Sequence, residues 1–228
     1  MSDPVAATGP LVVGTGVGRT FGDLVALDGA TFTIPAAARI ALVGPSGCGK
    51  STLLHLIAGL DTPTAGTLAW PALGPQQSLR PLHVGFVFQA PSLVAPLTVV
   101  ENVELPLLLE KRAPAEARAA ALAMLERIGL ADLADKLPEE ISGGQAQRVA
   151  VARALVHQPA LLCADEPTGQ LDRATAKHLM DVLLAAIEGT ATSLVVATHD
   201  PEIAARLTKQ WSMQHGILNA VALPTGAP

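Results

Sequence analysis

The sequence predicts an α/β protein: a mostly parallel sheet covered by helices, with an antiparallel β lobe and an inserted α-helical lobe. Three observations predict it. The apolar run Ile40 to Val43 ends at Gly44 and a helical pattern starts near Lys50, giving strand, glycine-rich loop and helix in succession. Two further buried-type strands, "ALLCAD" (160–165) and "SLVVAT" (193–198), are separated by a helical stretch from Asp172 to Glu188. Alternating apolar strands and helices mark a parallel sheet, because parallel neighbours need a long crossover. The block from Val99 to Leu137 reads as helical throughout, with no strand in it.

Taken in order, residues 11–43 are β-rich, with β-branched runs such as "LVALDGATFTIP" and "RIALVG" broken by Gly and Pro. The stretch "DTPTAGTLAWPALGPQQSLRP" (61–81) reads as loop, and "HVGFVFQ" (83–89) as a strand. In the helical block, "APAEARAAALAMLERIGL" (113–130) is the clearest helix: Pro114 suits its first turn and Gly129 its end. Ser142 opens another helix. There is no internal repeat and no low-complexity linker. The 228 residues therefore read as one domain. Residues 11–88 and 158–220 form the core and β lobe, and residues 98–157 the helical lobe.

Composition narrows the function. Half of the residues are hydrophobic, which is ample for a core, yet no apolar run reaches the roughly 18 residues of a membrane span. The start, "MSDPVAATGP", lacks a basic region followed by an apolar one, so no secretory signal is expected and the cytoplasm is. A formal charge of −5 without a basic run argues against a nucleic-acid partner, as does the absence of Tyr. Two cysteines, Cys48 and Cys163, are too few for a disulfide framework and read as small buried hydrophobes.

"GPSGCGKST" (44–52) completes the pattern G-x-x-x-x-G-K-[ST] with Gly44, Pro45, Ser46, Gly47, Cys48, Gly49, Lys50 and Ser51, followed by Thr52. Such a loop wraps a phosphate with backbone N–H groups. Its Lys reaches the β- and γ-phosphates, and its Ser holds Mg²⁺. The strand before it and the helix after it meet the structural condition for this reading. "LLCADE" adds Asp165 at the carboxyl end of an apolar strand, where a carboxylate can hold Mg²⁺ through water, and Glu166, a candidate general base. Alone, Asp-Glu after a strand is an ordinary solvated turn; beside a phosphate loop it becomes catalytic. His199 ends "SLVVATH", which would bring it near the γ-phosphate. Gln89 ends another strand run and could touch Mg²⁺ or the attacking water. Phe21 either stacks on a base or is a core residue of the β lobe. Ser142, Gly143, Gly144 and Gln145 make a second anion cradle, a capped helix start with bare glycine backbone.

In their order and spacing, "GPSGCGKST", Gln89, "ISGGQ", "LLCADEPT", "GQLD" and "THD" resemble an ATP-binding cassette (ABC) ATPase, the nucleotide-binding subunit of an ABC transporter. The resemblance runs from about Val12 to Leu218. It implies a P-loop NTPase cassette fold, with ATP and Mg²⁺ as cofactors. It implies Phe21 as the adenine-stacking aromatic, Gln89 as the coupling glutamine and metal contact, Glu166 as base, and His199 as switch histidine. Ser51 and Asp165 are then the remaining metal contacts, and Asp172 lies in a loop crossing between subunits. In proteins of this kind two cassettes pack head to tail, each ATP lying between the phosphate loop of one subunit and the Ser-Gly-Gly-Gln stretch of the other. That accounts for two cradles in one small domain, and a two-fold axis supplies both at both sites.

The implied partners are a second cassette and transmembrane permease subunits, which would hold the chain at the inner face of the cell membrane. The helical lobe and the Gln89 to Pro96 loop are the expected docking surface. "GLDTPTAG", "FVFQAPSLVAPLTVVENVELPL" and "DEPTGQLD" resemble the lipoprotein-release, macrolide-export and cell-division branch. No regulatory domain is expected after "MQHGILNAVALP". An export or mechanotransmission system is therefore expected. The alternatives are a division-type ATPase signalling without transport and an importer ATPase. Repair and translation cassettes fit poorly, since there is no long coiled coil and one cassette only. Three departures stand out: Ile141 where Leu is usual, Gln170 where Asn is frequent, and a shortened stretch between Gly66 and Gly85.

Overall fold

The β-branched runs at the start of the chain pair with each other before any helix forms. In the computed structural model, which describes residues 9–221, they are β1 (Val12–Phe21) and β2 (Leu24–Ile34). Then follow β3 (Arg39–Val43), α1 (Lys50–Ile57), β4 (Ala65–Ala69) and β5 (Val84–Val87). The helical stretch is α2 (Val99–Leu109), α3 (Pro114–Arg127) and α4 (Gly143–Leu155). The chain continues through β6 (Leu161–Asp165), α5 (Arg173–Ile187), β7 (Ser193–Thr198), α6 (Pro201–Ala204), β8 (Lys209–Gln214) and β9 (Ile217–Val221).

Two sheets result. One is antiparallel in the order β2-β1-β4; the other has the order β5-β6-β7-β3-β8-β9, parallel except for β9. The central strands of the parallel sheet are apolar on both faces, and all six residues of β7 are buried. This is the α/β class expected, with the antiparallel β lobe beside it. Cys48 and Cys163 are both buried in the core, as small hydrophobes.

The stretch 61–81 departs from its reading as loop. Ala65–Ala69 is a strand, aligned with β1 through pairs such as Gly14↔Leu68. Its Gly and Ala have little intrinsic β preference; the neighbouring strand supplies the ladder that makes it one. The β8–β9 hairpin and α6 also lie where no element was expected. In β8 only Trp211 and Met213 are buried, so its alternation is short and mostly polar.

α2, α3 and part of α4 enclose their own apolar cluster, including Val103, Leu107, Ala121 and Leu125. Its entrance is fixed by a capping box: the Glu101 amide donates to Thr98 Oγ1 at 3.4 Å, and the Thr98 amide donates to Glu101 Oε2 at 2.7 Å. α4 closes this cluster with Val149, Ala152 and Val156, and also packs on the sheet with Val151, Ala154 and Leu155.

Just after α4, His157 is buried with both ring nitrogens lacking a partner among the described residues. Burial pushes its pKa down from 6.5 to about 4, helped by Arg112 and His83. Above pH 6.5 the ring is neutral in both the folded and the unfolded chain. Between pH 6.5 and 4 only the unfolded chain takes up the proton, so the fold loses stability there, by about 3 kcal/mol at full shift. The expected result is a melting temperature that falls as pH is lowered from 6.5 to 4. His157→Leu should flatten that segment of the curve, and an unchanged slope would assign the acid sensitivity to other groups.

Candidate active site

The phosphate loop joins β3 to α1, and it ends at Gly49, the residue capping α1, at φ 106°. A Cβ there would stand 2.3 Å from the Ala26 carbonyl oxygen and 2.7 Å from the Met213 side chain, so only glycine fits. The loop thus closes between β2 and β8 with the amides of the α1 N-terminus turned into it, a natural seat for an anion. Lys50 is only 4% exposed. Its ammonium donates to the carbonyls of Gly44 at 2.9 Å and Pro45 at 3.0 Å, and Glu166 Oε1 lies 3.3 Å away.

Glu166 directly follows β6 with φ 43°, in the left-handed region that a side chain disfavours, and its amide donates to the Ala197 carbonyl at 3.0 Å. Such strain costs on the order of 1–3 kcal/mol and gathers at functional sites. It turns the carboxylate back between two partners, Lys50 and His199, whose Nδ1 is 3.1 Å from Glu166 Oε2. Three residues named from the sequence therefore meet at one point, at the carboxyl ends of the parallel strands.

Asp165 Oδ1 is buried and has no hydrogen-bond partner among the described residues. Burial raises its carboxyl above the usual range, against the pull of the Ser51 hydroxyl, His55 and Lys50. A desolvated carboxylate oxygen beside a serine hydroxyl is the donor set a hard divalent cation takes. Among the described residues no group of three or more His, Cys, Asp and Glu could hold a metal. Mg²⁺ fits this sparse site, since it keeps water and substrate phosphates as its other ligands.

Lys50, Ser51 and Glu166 line a cleft of about 550 Å³, while His199 lines the neighbouring concavity that Glu166 also borders. Phe21 lines the cleft too, 47% exposed, with the Arg19 guanidinium 4.4 Å from its ring centre. So exposed a ring is not a core residue of the β lobe. The wall continues through Leu24, Val25 and Ala26 to Ser46, Gly47, Gly49, Lys50, Ser51 and Thr52, with Gln89 and Glu166 beyond. Gln89 sits two residues past β5, within the loop to α2. α4 holds that loop: Gln147 donates to the Phe88 carbonyl at 2.9 Å, and Arg153 to those of Ser92 and Pro91 at 2.9 and 3.0 Å.

Ser142 caps α4 as expected, accepting from the Gln145 amide at 3.3 Å while Gln145 Oε1 accepts from the Ser142 amide at 2.8 Å. This second cradle is not in the cleft. Ser142, Gly144 and Gln145 line a separate concavity of about 300 Å³ with Arg148, Thr175 and His178, and Gly143 lies outside both. Asp172 caps α5, accepting from the amides of Ala174 and Thr175 at 3.0 and 3.1 Å, and lies outside the cleft too. Leu24, Val25, Ala26, His215 and Gly216 line the cleft but carry no motif, so sequence reasoning did not find them.

Comparison with known proteins agrees on one family. The family model described as "ABC transporter" matches residues 27–169. The lipoprotein-releasing system ATP-binding protein LolD of Legionella pneumophila strain Paris is 45% identical over 201 residues, covering 85% of this chain and 88% of the relative. Among solved structures, the dimeric ATP-binding cassette MJ0796, in a post-hydrolysis state bound to ADP and Pi, superposes with a TM-score of 0.83 at 33% identity, covering 94% of this chain and 100% of that one. The cassette cbiO1 of Clostridium perfringens, part of the transporter complex cbiONQ, gives 0.83 at 27% identity, over 93% of this chain and 88% of that one.

Proposed function

The chain belongs to the ABC transporter family, and on that footing we propose that it drives an export or mechanotransmission system by closing as a dimer around two ATP. It is an ATPase that uses ATP and Mg²⁺. The proposed roles follow the geometry. Phe21 stacks on the adenine, and Gly44 to Thr52 wrap the triphosphate, with Lys50 supplying the charge. Ser51, Asp165 and Gln89 hold Mg²⁺, which neutralises developing phosphate charge when bound. Glu166 takes the proton of the attacking water, and His199, 3.1 Å from it, orients the carboxylate.

One observation carries the dimer: the Ser142 cradle opens into a concavity that shares no lining residue with the cleft of its own chain. A second copy related by a two-fold axis would bring that cradle to the γ-phosphate side of the partner's ATP. The dimeric solved relative, with ADP and Pi bound, supports this reading. Asp172, at the start of α5, then stands in the loop between the copies.

No helix among the described residues is long and apolar enough to cross a membrane. The pathway is assigned to transmembrane partner subunits, which hold this chain at the inner face of the cell membrane. They dock on the helical lobe and the Gln89 to Pro96 loop, which is hydrogen-bonded to α4, the helix that Ser142 caps. The likeness to a lipoprotein-releasing ATPase at 45% identity supports the export or mechanotransmission direction.

The test is solution mass. Glu166→Gln protein should double in mass on adding ATP. Adding Ser142→Arg should abolish the doubling while ATP affinity of the monomer stays within about threefold, as for an exposed surface change. If Ser142→Arg lowers monomer affinity as much as it blocks the dimer, the stretch serves its own chain's nucleotide and the shared site is wrong. For direction, the chain reconstituted with its copurifying membrane subunits in liposomes should release a membrane-anchored lipoprotein only with hydrolysable ATP. Uptake of a soluble solute instead would make it an importer.

A further inference from the structure

Six non-glycine residues among those described have a clearly positive φ, and two of them line the cleft. One is Glu166. The other is His215, at φ 47°, followed by Gly216 at φ 79°. Together they form the two-residue turn between β8 and β9, where Gln214 pairs with Ile217. A hairpin turn with both central residues at positive φ is the type I′ turn, which favours Asn, Asp or Gly at its first position. Histidine tolerates this region but is not the residue the turn selects. The hairpin would be served equally well by a smaller residue, so the imidazole calls for another explanation.

Its position offers one. The Gly216 amide donates to the Cys48 carbonyl at 3.0 Å, and the Asp28 amide donates to the Gly216 carbonyl at 2.9 Å. The turn is therefore tied on one side to the phosphate loop and on the other to β2, next to Ala26. His215 lines the same cleft as Phe21 and Val25 and as Gly47, Gly49, Lys50, Ser51 and Thr52 of the phosphate loop. Its side chain is exposed, and among the described residues Lys50, Glu166 and His215 are the only Lys, Arg, His, Asp or Glu side chains lining the cleft. Lys50 and Glu166 already face each other at 3.3 Å.

From this placement we propose that His215 is a nucleotide-binding residue, donating from its ring to the sugar–phosphate part of the bound nucleotide. The inference rests on the nucleotide reading of the cleft. The turn holds the imidazole against the loop that holds the phosphates, so the contact costs little extra ordering.

The experiment compares the full chain with His215→Asn and His215→Gly, both of which suit the turn, using titration with ADP and GDP and a melting curve for each. Expected is a loss of about five- to tenfold in affinity, the scale of one hydrogen bond, equal for ADP and GDP, with a melting temperature unchanged or higher. Unchanged affinity for both nucleotides would overturn the proposal, leaving His215 a turn residue. So would a loss confined to ADP, which would mean contact with the base. A lower melting temperature in both variants with unchanged binding would likewise make its role structural. Lys50→Ala in the same titration separates the two readings: if it too binds ADP normally, the cleft is not the nucleotide site and the broader reading falls with this one.

Discussion

Glu166→Gln is expected to bind ATP as the parent does and to turn it over about 10²–10⁴-fold more slowly, the usual worth of a general base. The amide keeps the shape of the carboxylate and can still meet Lys50 and His199, so the cleft should stay intact. What it loses is the ability to take a proton from water. Steady-state phosphate release and a separate binding titration check the two halves independently. Near-parental turnover would remove Glu166 from the base role, since no other carboxylate stands between the lysine and the histidine at the end of the parallel strands. The strained φ of 43° would then need a structural explanation.

Lys50→Ala is expected to weaken ATP binding itself, by at least about 30-fold, corresponding to the 2 kcal/mol or more lost when a buried, hydrogen-bonded charge is truncated. The ammonium is aligned by two loop carbonyls at 2.9 and 3.0 Å, so little ordering is required when phosphate arrives. Removing it leaves the loop amides in place but deletes the one buried cation of the cleft. Equilibrium binding of a fluorescent ATP analogue checks it. An affinity equal to the parent's would mean that the loop holds something other than the triphosphate.

The motifs around the cleft were legible from the sequence because each proposed task demands particular residue types at fixed offsets. A wrapped phosphate needs glycines and a lysine before a helix, and a strand of apolar residues ending in Asp165 and Glu166 delivers carboxylates to one edge of a parallel sheet. The doubly buried strands were legible as continuous apolar runs, and α3 as an Ala-rich stretch bounded by Pro114 and Gly129. β4 was not, since its Gly and Ala become a strand only through the ladder with β1. The β8–β9 hairpin was hidden by its short polar alternation, and His215 with it. Its relation to the phosphate loop is a backbone hydrogen bond between Gly216 and Cys48, residues far apart in the chain. No local pattern encodes such a bond. The place of the Ser142 cradle, in a concavity separate from its own cleft, likewise depends on how α4 packs and not on the residues of the motif.

Helix α4 is a member of two cores at once. Val149 and Val156 belong to the cluster enclosed by α2 and α3, while Val151 and Leu155, on its other side, belong to the sheet. For protein engineering, this means the helical lobe is not an exchangeable cartridge. Cutting it out, or grafting one from a relative, would strip the sheet of part of its own cover unless α4 were split lengthwise between donor and host. Chimeras should therefore place their junctions before Thr98 and after α4, and keep the host's sheet-facing side of that helix.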